Sequence, residues 1–205
     1  WRASRTSEVS PIRRAIRWIG PLLGGALLLA AGVLAVRWGL GLYYHAAYPL
    51  AYTALIDAAC DQKGLDPALV YAVVRTESGF DPDAQSPVGA RGLMQLMPDA
   101  YDWVRMRRGE PAEGADYEDL YDPAVCVDYG TDMLRLLLAE FGSVRNTLCA
   151  YHAGWGSVKS WLADPQYAPD GRQVEQIPFA DTRDYVQKVE RAMEIYRRLY
   201  PDKMN

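Results

Sequence analysis

Between Leu65 and Pro98 the chain reads LDPALVYAVVRTESGFDPDAQSPVGARGLMQLMP. Asp66-Pro67 is a helix start, a carboxylate cap followed by a proline whose fixed φ suits the first helical position. Leu69, Val70, Val73 and Val74 then make a helix that is apolar almost all round, which predicts burial. It ends near Glu77. Residues 78 to 92 hold Gly79, Pro82, Pro87, Gly89 and Gly92, a loop with several positions suited to unusual backbone angles. For the short apolar run Leu93 to Met97, strand and helix remain alternatives.

Outward from this stretch the pattern stays helical. Leu50 to Lys63 carries a periodic apolar face and stops at Gly64, a good C-terminal cap. Pro98 to Arg108 is helical, and a polar, acidic connection follows to Tyr121. Val125 to Phe141 is a long amphipathic helix capped by Gly142. Ser143 to Ala153 and Gly156 to Ala163 are shorter helices. Asp181 or Thr182 is expected to cap a final helix running to about Tyr200. The predicted class is mainly α, with at most a small β element in the central loop.

The N-terminal end differs. Trp18 to Val36 is an uncharged run of 19 residues, enough at about 1.5 Å per residue to cross a hydrocarbon core of about 30 Å. Five arginines precede it and only Arg37 follows closely. The positive-inside tendency therefore leaves residues 1–17 in the cytoplasm, makes 18–36 a signal anchor and 37–47 a short linker, and places 48–205 outside the cytoplasm. A cleaved signal peptide and a buried core helix are the rival readings; the first prefers an apolar stretch of about 7 to 15 residues, the second some charge on one face.

Composition narrows the partners. From residue 43 on, 16 basic residues face 25 acidic ones, a balance of −9. Such a domain repels phosphate backbones, and no basic cluster is interleaved with aromatics, which argues against nucleic acid. A neutral polymer remains open. Cys60, Cys126 and Cys149 show no CxxC pair, and His45 and His152 lie far apart, so neither a metal nor another cofactor is expected. A disulfide between Cys126 and Cys149 and two separate core thiols remain alternatives.

Glu77 stands where an apolar helix meets a Gly/Pro loop, a position in which a carboxyl can be desolvated and still reach a cleft. By itself that placement is compatible with a solvated helix-end residue. The longer pattern is more specific. Glu77-Ser78-Gly79-Phe80-Asp81-Pro82, Ser86-Pro87-Val88-Gly89-Ala90-Arg91-Gly92 and Leu93-Met94-Gln95-Leu96-Met97-Pro98 resemble, in this order, the soluble lytic transglycosylase (SLT) family. Ala150-Tyr151-His152-Ala153-Gly154 resembles that family's Ala-Tyr-Asn-Ala-Gly box. Residues 177 to 186, Ile-Pro-Phe-Ala-Asp-Thr-Arg-Asp-Tyr-Val, resemble its Ile-Pro-Phe-x-Glu-Thr-Arg-x-Tyr-Val segment.

The resemblance covers roughly residues 48 to 200 and implies a lysozyme-like fold acting on peptidoglycan glycan strands. It implies Glu77 as the single catalytic acid and base, with Ser86, Gln95, Met97 and Tyr151 lining the cleft and Asp181 contacting substrate. His152 and Asp181 depart from the family pattern, where Asn and Glu stand. The implied reaction cleaves between N-acetylmuramic acid and N-acetylglucosamine without water and leaves a 1,6-anhydro end. A hydrolytic muramidase and a non-catalytic wall-binding protein are the alternatives. Trp103, Trp155 and Trp161 are candidates either for stacking on sugars or for burial. The acid must be protonated, yet a glutamate with pKa ~4.3 is only about 0.2% protonated at pH 7. Raising it by ~2 units protonates roughly a sixth, with desolvation by Val73, Val74, Met94 and Met97 as the natural source.

Overall fold

A computed structural model describes residues 11–111, 113–114 and 116–204, with the backbone path alone for 11–23. Residues 1–10 of the expected basic segment lie outside the described residues. The chain divides into two units, one ending at Ala47 and one beginning at Tyr48.

The first unit is a single helix, α1 (Pro11–Ala47). Within it Gly24–Ala47 is long and apolar enough to cross a membrane, with mean hydropathy 1.7 and none of that window buried. The helix therefore does not stop at Val36. Residues 37–47, read from sequence as a linker, continue it, because no proline or polar cluster interrupts the chain before Pro49, and Arg37 is a single charge whose long stem tolerates an apolar neighbourhood.

The second unit is a helical domain: α2 (Thr53–Lys63), α3 (Pro67–Glu77), α4 (Pro98–Arg108), a short 3-10 helix (Tyr117–Tyr121), α5 (Pro123–Phe141), α6 (Val144–Ala153), α7 (Trp155–Ala163), α8 (Ala180–Leu199) and α9 (Pro201–Met204). Boundaries follow local chemistry. Asp66 accepts a hydrogen bond from Ala68 N at 2.8 Å and Asp122 one from Ala124 N at 2.7 Å, each ahead of a proline at the first helical position. Gly64, Gly109 and Gly142 end α2, α4 and α5 in the left-handed conformation. At α8 the expected cap fails. Phe179 occupies the cap position without a side-chain bond, and Asp181 and Thr182 lie inside the first turn.

Every residue of α3 from Ala68 to Val74 is buried. The helix packs chiefly against α8, while α5 packs against α2 and α6. All three cysteines are buried and free. Cys126 is held by its surroundings and not by a disulfide: its sulfur accepts from Met94 N at 3.3 Å and lies 3.8 Å from the Arg91 carbonyl. The expected β element shrinks to two isolated bridges, Gln85 to Arg91 and Arg91 to Leu96.

The loop after α3 is pressed against the domain. Gly92 has φ +72°, and a Cβ there would come within 2.0 Å of the Leu120 carbonyl oxygen. Gly142 also has positive φ but faces open space. Gly92→Ala is therefore expected to destabilise the domain by roughly 3 kcal/mol, since overpacking adds to backbone strain. Gly142→Ala is expected to lose only about 1 kcal/mol. Urea unfolding of both variants checks the contrast.

Candidate active site

The site begins with the C-terminal end of α3. A helix with an apolar surface delivers Glu77 half-buried at its last turn. Burial pushes the Glu77 carboxyl up to about 7, and among the described residues the counteracting group is Tyr185, whose hydroxyl lies against it and favours the charged form. At that value about half the molecules carry the proton at neutral pH, against the fraction of a per cent of an ordinary glutamate.

Three neighbours face the carboxyl, and all three stay neutral. Tyr151 on α6 and Tyr185 on α8 are both pushed well above the ordinary phenol range by burial, with Glu77 adding to the effect. Cys126 on α5 is raised to about 11 by burial, opposed by the backbone N–H groups of Met94 and Leu93. The Tyr151 hydroxyl donates to the Met94 carbonyl at 2.7 Å. The Tyr185 hydroxyl, on a side chain only 6% exposed, meets no partner of ordinary hydrogen-bond geometry.

The loop from 78 to 97 forms the opposite wall. Ser78 Oγ donates to the Leu93 carbonyl at 2.8 Å and ties the end of α3 to it. Ser86 Oγ accepts from Ala90 N at 3.0 Å, closing a tight turn. Gln95 sits at φ 47°, a conformation uncommon for a side-chain-bearing residue, and its Nε2 donates to the Ala84 and Gly92 carbonyls at 2.9 and 3.1 Å. Ser86 and Gln95, expected in the cleft, thus spend polar atoms on the loop itself. Met97, 39% exposed, caps α4 and opens onto a cavity of about 460 Å³.

That cavity is lined by Met97, Trp103, Met133, Tyr151, His152 and Trp155 among others. Glu77 is not in its lining; Tyr151 is the residue that faces both. Trp155 is exposed, whereas Trp161 is buried edge-on to Phe179 at 5.2 Å between ring centroids. Trp161 is therefore a core residue, and Trp103 and Trp155 are the aromatics available to a ligand. Asp181 is exposed at the start of α8, where its carboxylate accepts from Thr182 N at 2.8 Å and lies beside His152. Burial lowers the His152 pKa and Asp181 opposes that effect. Among the described residues no group of three or more His, Cys, Asp and Glu side chains could hold a metal ion.

Tyr185 is the site residue to which the sequence reading assigned no role. Its signal was a hydroxyl on the core-facing stripe Thr182, Tyr185, Val186 and Val189 of α8, one short of partners in an otherwise buried row.

The Transglycosylase SLT domain profile matches residues 54–173. The soluble lytic murein transglycosylase of Escherichia coli K12 is 35% identical over 158 residues, 76% of this chain and 24% of that protein. Membrane-bound lytic murein transglycosylase C of Actinobacillus succinogenes is 34% identical over 172 residues, 72% of this chain and 47% of that protein. In structure, an inactive Glu-to-Gln mutant of the lytic transglycosylase Slt from Pseudomonas aeruginosa superposes with a TM-score of 0.64 at 35% identity, covering 74% of this chain and 24% of that one. The chain thus spans about a quarter of the soluble relatives it matches.

A carboxyl with a raised pKa destabilises the fold once it must ionise. Between the unfolded value of about 4.5 and the folded value of about 7, the native state holds more protons than the unfolded chain, so stability falls as pH rises through that window. Glu77→Gln removes the ionisation. The variant is expected to unfold at a higher temperature than the wild type at pH 8, by an amount worth up to about 3 kcal/mol, with the gap closing below pH 4.5. Thermal unfolding at the two pH values checks it.

Proposed function

The chain belongs to the transglycosylase SLT domain family, and from that premise we propose that it cleaves peptidoglycan glycan strands with Glu77 as the one acid and base. The observation that carries the reading is a carboxyl desolvated to a pKa of about 7 and, among the described residues, faced by the neutral groups Tyr151, Tyr185 and Cys126. Family membership, the lysozyme-like helical fold and the inactive Glu-to-Gln mutant of a structural relative support it.

The substrate is the β-1,4 bond between N-acetylmuramic acid and N-acetylglucosamine. Protonated Glu77 gives its proton to the glycosidic oxygen, and the bond from that oxygen to the muramyl anomeric carbon breaks. The sugar's own acetamido oxygen supports the cationic centre, the part a second carboxylate plays in two-carboxylate glycosidases. The Glu77 carboxylate then takes the proton of the muramyl 6-hydroxyl as that oxygen closes on the anomeric carbon. The products are a 1,6-anhydromuramyl end and a free N-acetylglucosamine hydroxyl, with no water consumed and Glu77 protonated again. Ser86, Gln95, Met97 and Tyr151 line the cleft and contact substrate, Ser86 and Gln95 bracing the loop wall as well, and Trp103 and Trp155 offer faces to sugar rings. Asp181 contacts substrate at the cleft edge. A muramidase would need a second carboxylate to activate water or attack the sugar, and among the described residues no charged group acts on Glu77.

Residues 18–36 form the core of a single-pass anchor that leaves residues 1–17 in the cytoplasm and residues 48–205 outside it. The apolar α1 window and the membrane-bound relative support this reading.

Mass spectrometry of muropeptides released from purified peptidoglycan by the full chain in detergent is expected to find anhydromuramyl ends, and Glu77→Gln is expected to release none. Hydrated reducing ends would replace this reading with the muramidase. The wild-type rate is expected to fall above about pH 7, approaching tenfold per pH unit, because only the protonated acid starts the reaction. An alkaline phosphatase reporter joined after Ala47 is expected to be active in bacteria, as only an exported reporter is; silence would reverse the orientation.

A further inference from the structure

The cleft contains a second ring whose position has no use in the chemistry above. His152 follows Tyr151 on α6 and is anchored at two points on α8. Its Nδ1 lies 3.1 Å from Thr182 Oγ1. Its ring stacks on Tyr185, with centroids 4.6 Å apart and planes 29° from parallel. Thr182 and Tyr185 are three residues apart and share one face of α8, so one imidazole grips both.

Tyr185 needs such a grip. Its hydroxyl is buried against Glu77 without a bond of ordinary geometry, an arrangement that survives only where the surroundings hold the ring in place. Of the groups facing Glu77, Cys126 from α5 and Tyr151 from α6 leave the charged form unaided, and Tyr151 already donates to Met94 O. Tyr185 from α8 alone favours the carboxylate.

We propose that His152 is a positioning residue, whose ring, stacked on Tyr185 and anchored at Thr182, fixes how the Tyr185 hydroxyl meets the catalytic carboxyl of Glu77. The aromatic plane does this work, not the charge. This chain carries His where the family pattern it resembles carries Asn, so the device belongs to this sequence. The proposal rests on the role of Glu77 argued above.

The alkaline limb of the rate profile reads the effect directly. With the Tyr185 hydroxyl released, burial acts unopposed and Glu77 keeps its proton to higher pH. Product release from purified peptidoglycan by the full chain, each profile scaled to its own plateau, is expected to show the limb of His152→Ala moved up by about one pH unit. His152→Asn, which lacks the ring, is expected to move the same way. His152→Phe keeps the stacking plane and is expected to restore the wild-type limb. Tyr185→Phe is expected to shift the limb by itself, and adding His152→Ala to it should move it no further. Scaling makes the limb independent of how much of a variant folds, and His152→Asn serves if the alanine variant does not fold. A wild-type limb in both His152→Ala and His152→Asn overturns the proposal, as does a His152→Ala shift that persists in the Tyr185→Phe background. If instead Glu77→Gln retains full activity, the reading of Glu77 fails and not this one alone.

Discussion

The burial of α3 on every face is the constraint from which the rest of the domain follows. A helix running Ala68-Leu69-Val70-Tyr71-Ala72-Val73-Val74 has no side that water can solvate, so α8 and the surrounding elements must enclose it. Enclosure in turn fixes what happens at its end. The last turn emerges half-covered, and the one carboxyl there loses enough water to keep a proton near neutrality. A group that costs stability when ionised is held in place by apolar packing two turns earlier, so the same hydrophobic run that drives folding also prepares the acid.

The second wall of the site is built differently. Between Ser78 and Met97 four apolar side chains, Phe80, Leu93, Met94 and Leu96, pin the wall to the core, and backbone chemistry shapes the rest: a turn closed by Ser86, two isolated bridges through Arg91, and Gln95 held in a left-handed conformation by its own side-chain bonds. Phe80 is left-handed as well. Strained residues of this kind gather where a rigid, non-regular wall is needed. The backbone of Met94 joins this wall to the helices, its N–H donating to the Cys126 sulfur and its carbonyl accepting from the Tyr151 hydroxyl. Tyr151 thereby belongs to the loop, to α6 and to the surroundings of Glu77 at once.

Much of this was legible in the sequence because it is written in local chemistry. Asp66-Pro67, Gly64, Pro98 and Gly142 announce helix ends through capping and φ, and the structure places α2, α3, α4 and α5 within a few residues of those signals. Where the cue was a polar residue without a forced conformation, the reading slipped. Asp181 and Thr182 look like caps, but the turn begins earlier and both side chains serve other partners, the Thr182 amide and the His152 ring. Residues 37–47, expected as a linker, are helical, because the end of an uncharged run is not the end of a helix. That Ser86 Oγ and Gln95 Nε2 also brace the loop is set by its three-dimensional path and has no local cue in the sequence. Tyr185 escaped because a tyrosine on an apolar stripe looks like core, and its hydroxyl acquires meaning only from a residue 108 positions away.

The three buried thiols carry a chemical consequence of their own. Burial raises Cys60 to about 12 and Cys126 and Cys149 to about 11. Disulfide exchange proceeds through the thiolate, and at neutral pH a thiol with pKa near 11 is ionised in only about one molecule in ten thousand. None of the three can be reached by an oxidant without opening the core. The domain therefore behaves as though it had no cysteines: its fold needs no oxidative maturation and its surface offers no handle to a thiol oxidase, whichever side of the membrane it occupies.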